Sequence, residues 1–96
     1  MNQRQYLRIN IDIKINCDDE VKSIGQDLSE GGMKILTKGD FQERSYVSLQ
    51  FSLTPEIYIK TYGKVIWKKD KPNGYHEIGL QFWGMDDNHQ KTIRQY

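Results

Sequence analysis

From position 7 to position 17 the chain alternates without a break: Leu7, Ile9, Ile11, Ile13, Ile15 and Cys17 on odd positions, Arg8, Asn10, Asp12, Lys14 and Asn16 on even ones. A period of two places successive side chains on opposite faces of an extended strand, so this run predicts one long strand with a dry face and a wet face. Asp18-Asp19-Glu20 reads as a polar turn. The same logic predicts strands over 21–28 (interrupted by Gly25), 33–36, 46–53, 57–69 (kinked at Gly63) and 75–83, with Lys71-Pro72-Asn73-Gly74 as a hairpin turn. The end of the chain changes period. Asp86 or Asp87 can cap a short helix over about 88–96, with His89, Ile93 and Tyr96 on one side. Many short strands in 96 residues either leave exposed edges or close on themselves. The expectation is all-β: a six-stranded antiparallel barrel with a short C-terminal helix over one end.

The chain is long enough for one domain with one modest core, spanning 1–96, and residues 1–8 are expected to form a flexible polar segment ahead of it. A formal net charge of +1 lacks the basic excess of a duplex DNA binder, so an anionic ligand has to be met by a local cluster. The single thiol, Cys17, excludes an internal disulfide and continues the apolar face of its strand, which reads as a core thiol rather than a nucleophile. Neither an apolar run of transmembrane length nor a leader-like start is visible, so the expected setting is the cytoplasm, with no membrane insertion. His76 and His89 lack partners at metal-ligand spacing, and no metal or other cofactor is expected.

Two clusters stand out against this background. Arg4-Gln5-Tyr6-Leu7-Arg8 offers two permanent guanidinium forks, and Asp27-Leu28-Ser29-Glu30-Gly31-Gly32 offers a carboxylate, a hydroxyl and bare backbone within one turn. Arginine pairs bidentately with phosphate or with guanine O6 and N7, while a carboxylate accepts from guanine N–H groups. Together they point to a guanine nucleotide. Arg4 and Arg8 are four apart and project to one side; Asp27 and Ser29 flank Leu28, so with Leu28 inward both point outward. Gly31-Gly32 is expected to supply positive φ and close access to the main chain. The plainer readings are solvated arginines and a simple hairpin turn. Trp67 is a candidate for stacking on a base, and Lys60, Lys64 and Lys68 fall on one face of their predicted strand.

These residues resemble the PilZ domains, bacterial receptors for cyclic di-GMP, whose pattern is an RxxxR segment ahead of the first strand and a [D/N]xSxxG segment at a strand turn. Both are intact here. The resemblance continues through Gly63-Lys64-Val65-Ile66-Trp67 and Ile78-Gly79-Leu80-Gln81-Phe82 and covers nearly the whole chain. Departures are Gln3, where some members carry another Arg or a bulky residue, and a short, Leu-poor last helix. The resemblance implies a six-stranded antiparallel barrel and a non-catalytic receptor. In it Arg4 and Arg8 hold phosphate and Hoogsteen edges, Asp27 accepts from guanine, Ser29 hydrogen-bonds the nucleotide, and Gly31 and Gly32 permit close approach. It further implies that ligand orders the N-terminal segment toward an effector protein. Alternative functions for such a chain are a small barrel binding single-stranded nucleic acid through the lysine face and aromatics, or a ligand-independent protein adaptor.

Overall fold

A computed structural model of the chain describes residues 8–96; Leu7, the expected start of the first strand, Tyr6 and Arg4 lie outside the described residues. Six strands follow in order: β1 (Ile9–Cys17), β2 (Val21–Ser29), β3 (Gly32–Thr37), β4 (Tyr46–Thr54), β5 (Ile57–Asp70) and β6 (His76–Trp83), with helix α1 (Asp87–Gln95) at the end. They close into a barrel in the order β1-β2-β3-β6-β5-β4, every neighbouring pair antiparallel. The all-β barrel with a short C-terminal helix is thus as the alternation predicts.

The dry faces meet inside. Ile15, Leu28, Met33, Ile35, Leu49, Phe51, Ile59, Ile78 and Leu80 are fully buried, and burial of this much aliphatic surface is the main force holding the barrel. Met85 and Ile93 add the residues after β6 and helix α1 to the same cluster. The Asp86 carboxylate caps α1 by accepting from the Asn88 backbone N–H at 2.7 Å. Of the stripe expected on this helix only Ile93 enters the core; Tyr96 is exposed.

Four one-residue register shifts interrupt the pairing, at Asn10/Ile13, Gly25/Asp27, Ser52/Thr54 and Val65/Trp67, and the second and fourth bear on the site. In β2, Gly25 pairs with Ile35 and Asp27 with Lys34, leaving Gln26 as an extra residue. In β5, Val65 pairs with Leu80 and Trp67 with Gly79, leaving Ile66 extra. The break in β5 therefore sits at Ile66, whereas Gly63, where a kink is expected, pairs regularly with Val47 and Phe82. An extra residue sends everything after it to the opposite face. Lys68 consequently pairs with the buried Ile78 and bonds Asp40, and it does not share the face of Lys60 and Lys64 as strict alternation predicts.

The barrel interior also holds a short polar chain. The Cys17 thiol donates to Ser23 Oγ at 3.6 Å, which donates to Thr37 Oγ1 at 2.8 Å. Burial pushes the thiol up to about 11 from an ordinary 9.0, against the opposing effect of the Ser23 hydrogen bond. The unfolded chain loses this proton near pH 9.0 while the native barrel keeps it to about 11, so the contribution to stability is complete below 9.0 and falls away as pH rises through 11. Thermal melts across this window should show a smaller alkaline loss in Cys17→Ala than in the parent, and iodoacetamide should label Cys17 only after unfolding.

Candidate functional site

The extra residue in β2 is what turns Asp27 outward. Before it, Ser23 and Gly25 face the core on odd positions; after it, Leu28 faces the core and Asp27 the outside. Register then aligns Asn10, Asp27, Lys34, Gly79 and Trp67 in one row across β1, β2, β3, β6 and β5.

Arg8 meets this row at its first end. Its Nη1 donates to Asp27 Oδ1 at 2.6 Å, with the arginine side chain 53% exposed and the carboxylate only 16%. The Lys34 backbone N–H also donates to Oδ1, at 3.2 Å, while Oδ2 faces Lys34 Nζ at 3.9 Å. Lys34 Nζ in turn stands 4.0 Å from Glu77. One carboxylate oxygen therefore orients Arg8, and the other remains open to a further donor. A pair this exposed contributes about 0.2–1 kcal/mol to stability, so its main consequence is orientation.

The turn between β2 and β3 is built more tightly than alternation predicts. Ser29 pairs with Gly32, yet its side chain is buried in the turn rather than held out to solvent. Its Oγ donates to the Gly32 carbonyl and accepts from the Gly31 N–H, both at 3.3 Å. The positive φ expected at Gly31-Gly32 is found instead at Gly74 and Gly84. Gly32 is required for another reason: a Cβ there would lie 2.1 Å from the Leu80 carbonyl oxygen of β6. The Gly31 carbonyl accepts from the Phe82 N–H at 2.9 Å, which ties the turn to β6.

Sequence reasoning missed two contributors. Arg94 of α1 embraces Glu30 with Nε at 3.0 and 3.1 Å from the two carboxylate oxygens, and Nη2 bonds the same group. This hydrogen bonding lowers the Glu30 carboxyl below its ordinary range and fastens the helix to the motif turn. A basic residue in a last helical turn is common for dipole reasons alone, so nothing in the sequence marked it. Lys34 was legible only through register, which places it beside Asp27.

The described motif residues Arg8, Asp27, Ser29, Gly31 and Gly32 come together at one end of β1–β3; Arg4 lies outside the described residues. Trp67 stands three strands from Asp27 on the same row, half-exposed, with its indole over Gly79, where a Cβ would meet Nε1 at 2.1 Å. A groove of about 790 Å³ lies elsewhere: Lys14, Lys22, Ile24, Tyr58 and Tyr75 line it, and no motif residue does. The row centred on Asp27 is the better candidate because there a half-exposed guanidinium adjoins a carboxylate that it engages through one oxygen, whereas Arg94 occupies both oxygens of Glu30. Among the described residues no group of three or more His, Cys, Asp or Glu could hold a metal, and no helix is long and apolar enough to cross a membrane.

Gly32→Ala tests the close approach to β6. Because the opposing atom is backbone and cannot swing aside, the substitution is expected to cost about 1–3 kcal/mol, a Tm loss of roughly 4–8 °C per kcal/mol for a domain of this size.

The PilZ domain family model matches residues 2–96. The solved structure of the Bacillus subtilis inhibitor of motility is similar with a TM-score of 0.86 at 20% identity, covering 100% of this chain and 50% of that one. The PilZ domain with c-di-GMP of YcgR from Escherichia coli is similar at 0.73 and 16%, covering 98% and 88%. MrkH, described as a c-di-GMP-dependent transcription regulatory factor, gives 0.72 and 18%, covering 97% and 48%. At these identities the likeness is one of fold, and the chain spans half the length of the first of these proteins. No curated protein matches it.

Proposed function

The chain belongs to the PilZ domain family, and on that premise we propose that it is a non-catalytic receptor for cyclic di-GMP. The observation that carries the reading is the Arg8–Asp27 pair beside the Ser29–Gly32 turn on the barrel exterior. Two structures of one PilZ protein with this nucleotide, YcgR from Escherichia coli, are among those of similar fold.

The geometry of the described residues supports a division of labour. Asp27 Oδ1 holds Nη1 of Arg8, leaving the rest of the exposed fork for a phosphate or for guanine O6 and N7. Asp27 Oδ2, with Lys34 nearby at 3.9 Å among the described residues, accepts from guanine N–H groups. Gly31 and Gly32 let the ligand touch the main chain, and Ser29 either keeps that turn in shape or trades its 3.3 Å bond for one to the nucleotide. Trp67, at the far end of the row, offers a face for stacking. Arg4 supplies the second fork from the segment preceding the barrel. With both arginines on one ligand, residues 1–8 are fastened to the barrel, and the surface so formed is what an effector protein reads.

Titration calorimetry with cyclic di-GMP, and GTP as control, tests the reading directly. Arg8→Ala is expected to weaken binding by about 1.5–3 kcal/mol, roughly ten- to hundred-fold, because a charge-assisted bidentate contact is lost. Arg8→Lys should restore little, since an ammonium keeps the charge without the planar fork. Arg4→Ala should behave like Arg8→Ala. Circular dichroism should show all three folded, and a folded Arg8→Ala that binds like the parent would overturn the site.

Ligand should also raise stability by linkage. At one hundred times Kd the gain is about 2.7 kcal/mol, which corresponds to roughly 10–20 °C in Tm for a domain of this size. A thermal scan at millimolar cyclic di-GMP with no shift would count against the receptor.

A further inference from the structure

A second face of the barrel carries chemistry that the nucleotide site does not use. On the outside of β4, β5 and β6, register sets Tyr46, Lys64 and Gln81 in one row and Ser48, Tyr62 and Trp83 in the next. Three large rings stand open there: Tyr46 is 52% exposed, Tyr62 56% and Trp83 55%. Tyr46 and Trp83 stack with centroids 6.0 Å apart and planes inclined by 29°. Lys64 Nζ lies 6.0 Å from the Tyr46 ring centre, and Lys60 is the next outward position on β5 beyond Tyr62.

Acids border this face rather than stand within it: Asp18 and Asp19 meet its β4 edge at Ser48 and Gln50, and Glu77 lies two outward positions beyond Gln81 on β6. No acid occurs in β4, and none in β5 before Asp70. Lys60 and Lys64 have no carboxylate within ion-pair distance among the described residues, whereas Arg8, Lys34, Lys68 and Arg94 all do. Lone aromatics on a surface need no explanation, but rings at strand spacing interleaved with unpaired lysines are a particular combination. Strand neighbours about 4.8 Å apart and alternate residues about 7 Å apart match the reach of successive unstacked bases, and each ring offers a π-face that any base can use. Two ammonium groups along the same strand suit the phosphates between those bases.

We propose that the outer face of β4, β5 and β6 binds single-stranded nucleic acid, with Trp83, Tyr46 and Tyr62 stacking bases and Lys60 and Lys64 meeting phosphates. Duplex is a poor fit, since its bases are already stacked and their faces closed. A second copy of the chain is also a poor fit, because two such faces would set lysine against lysine. The surface is separate from Arg8 and Asp27, so this inference stands independently of the receptor reading.

Fluorescence anisotropy with labelled oligo(dT) and oligo(U) of about twelve nucleotides tests it on the whole chain, with circular dichroism of each variant. Binding of both strands is expected, weakening with salt. Trp83→Ala should weaken it roughly 5- to 150-fold, with Tyr62→Ala as a second, independently folded probe should Trp83→Ala disturb the barrel. Lys60→Gln with Lys64→Gln should flatten the slope of log K against log salt by about 1.4. Cyclic di-GMP binding should be unchanged in Trp83→Ala, and poly-L-glutamate should compete poorly because it has charge without bases. The proposal is overturned if neither strand binds at low salt, if binding survives both aromatic substitutions, or if poly-L-glutamate displaces the strand as well as an unlabelled oligonucleotide does. The last result would mark a surface for acidic protein instead.

Discussion

Closure of the barrel between β1 and β4 is the constraint on which the rest of the structure depends. Only Ile15–Phe51, Asn16–Gln50 and Cys17–Leu49 pair across that seam, fewer than across any other. Four of these six residues are core side chains, so sealing the edge and filling the interior are one event. The adjoining turn reinforces it. Asp18 and Asp19 both take left-handed backbone, with φ of 52° and 66°, the mirror-type turn that suits a tight hairpin. The Asp18 carboxylate then accepts from the Ser48 N–H at 2.9 Å, its own N–H donates to the Ser48 carbonyl, and Asp19 accepts from Gln50 at 2.8 Å. A polar turn that would otherwise only reverse the chain thus fastens β1 to β4.

Closing six strands imposes curvature, and the extra residues at Gln26 and Ile66 accompany it with increased local twist. Both changes of parity bear on function. At Gln26 the flip turns Asp27 out beside Arg8; at Ile66 it turns Trp67 out over Gly79 and withdraws Lys68 toward Asp40. The site row therefore depends on where two single residues were inserted, whereas the aromatic face of β4–β6, which precedes Ile66 on β5, follows the alternation that builds the strands.

That division explains what was legible in the sequence. Strand number, barrel closure and the terminal helix follow from hydrophobic period, which Leu49, Phe51 and Ile59 state plainly. The two motifs were legible because Arg, Asp, Ser and Gly at fixed spacing have a shared chemistry. Parity beyond an irregularity was not, because no residue type is reserved for a bulge: Gln26 and Ile66 are ordinary strand residues. The expected kink at Gly63 failed for the same reason in reverse. Its missing side chain makes room for Leu49 and Leu80 in the core, where a Cβ would approach to 2.9 and 3.1 Å. Ser29, expected to point outward, is buried instead, because its short hydroxyl finds the turn's own backbone before it finds solvent. The Glu30–Arg94 pair spans 64 positions, and no local pattern announces such a contact.

The two halves of the proposed nucleotide site differ in how they are held. The β2–β3 turn is fixed on three sides: by Ser29 within it, by the Gly31 carbonyl to Phe82 on β6, and by Glu30 to Arg94 on the helix. Arg8 stands just before β1 and is held mainly by one bond to Asp27, with more than half of its side chain in solvent. A ligand bridging both meets one surface already in shape and one fork only partly oriented. Affinity for the rigid half carries little ordering cost, while engaging the arginines fixes side chains that hold considerable rotamer freedom. On the receptor reading, the turn is the part that recognises the ligand and the arginine segment the part whose arrangement changes with occupancy. The response is therefore concentrated at the N-terminal end of the barrel, beside the row from Asn10 to Trp67.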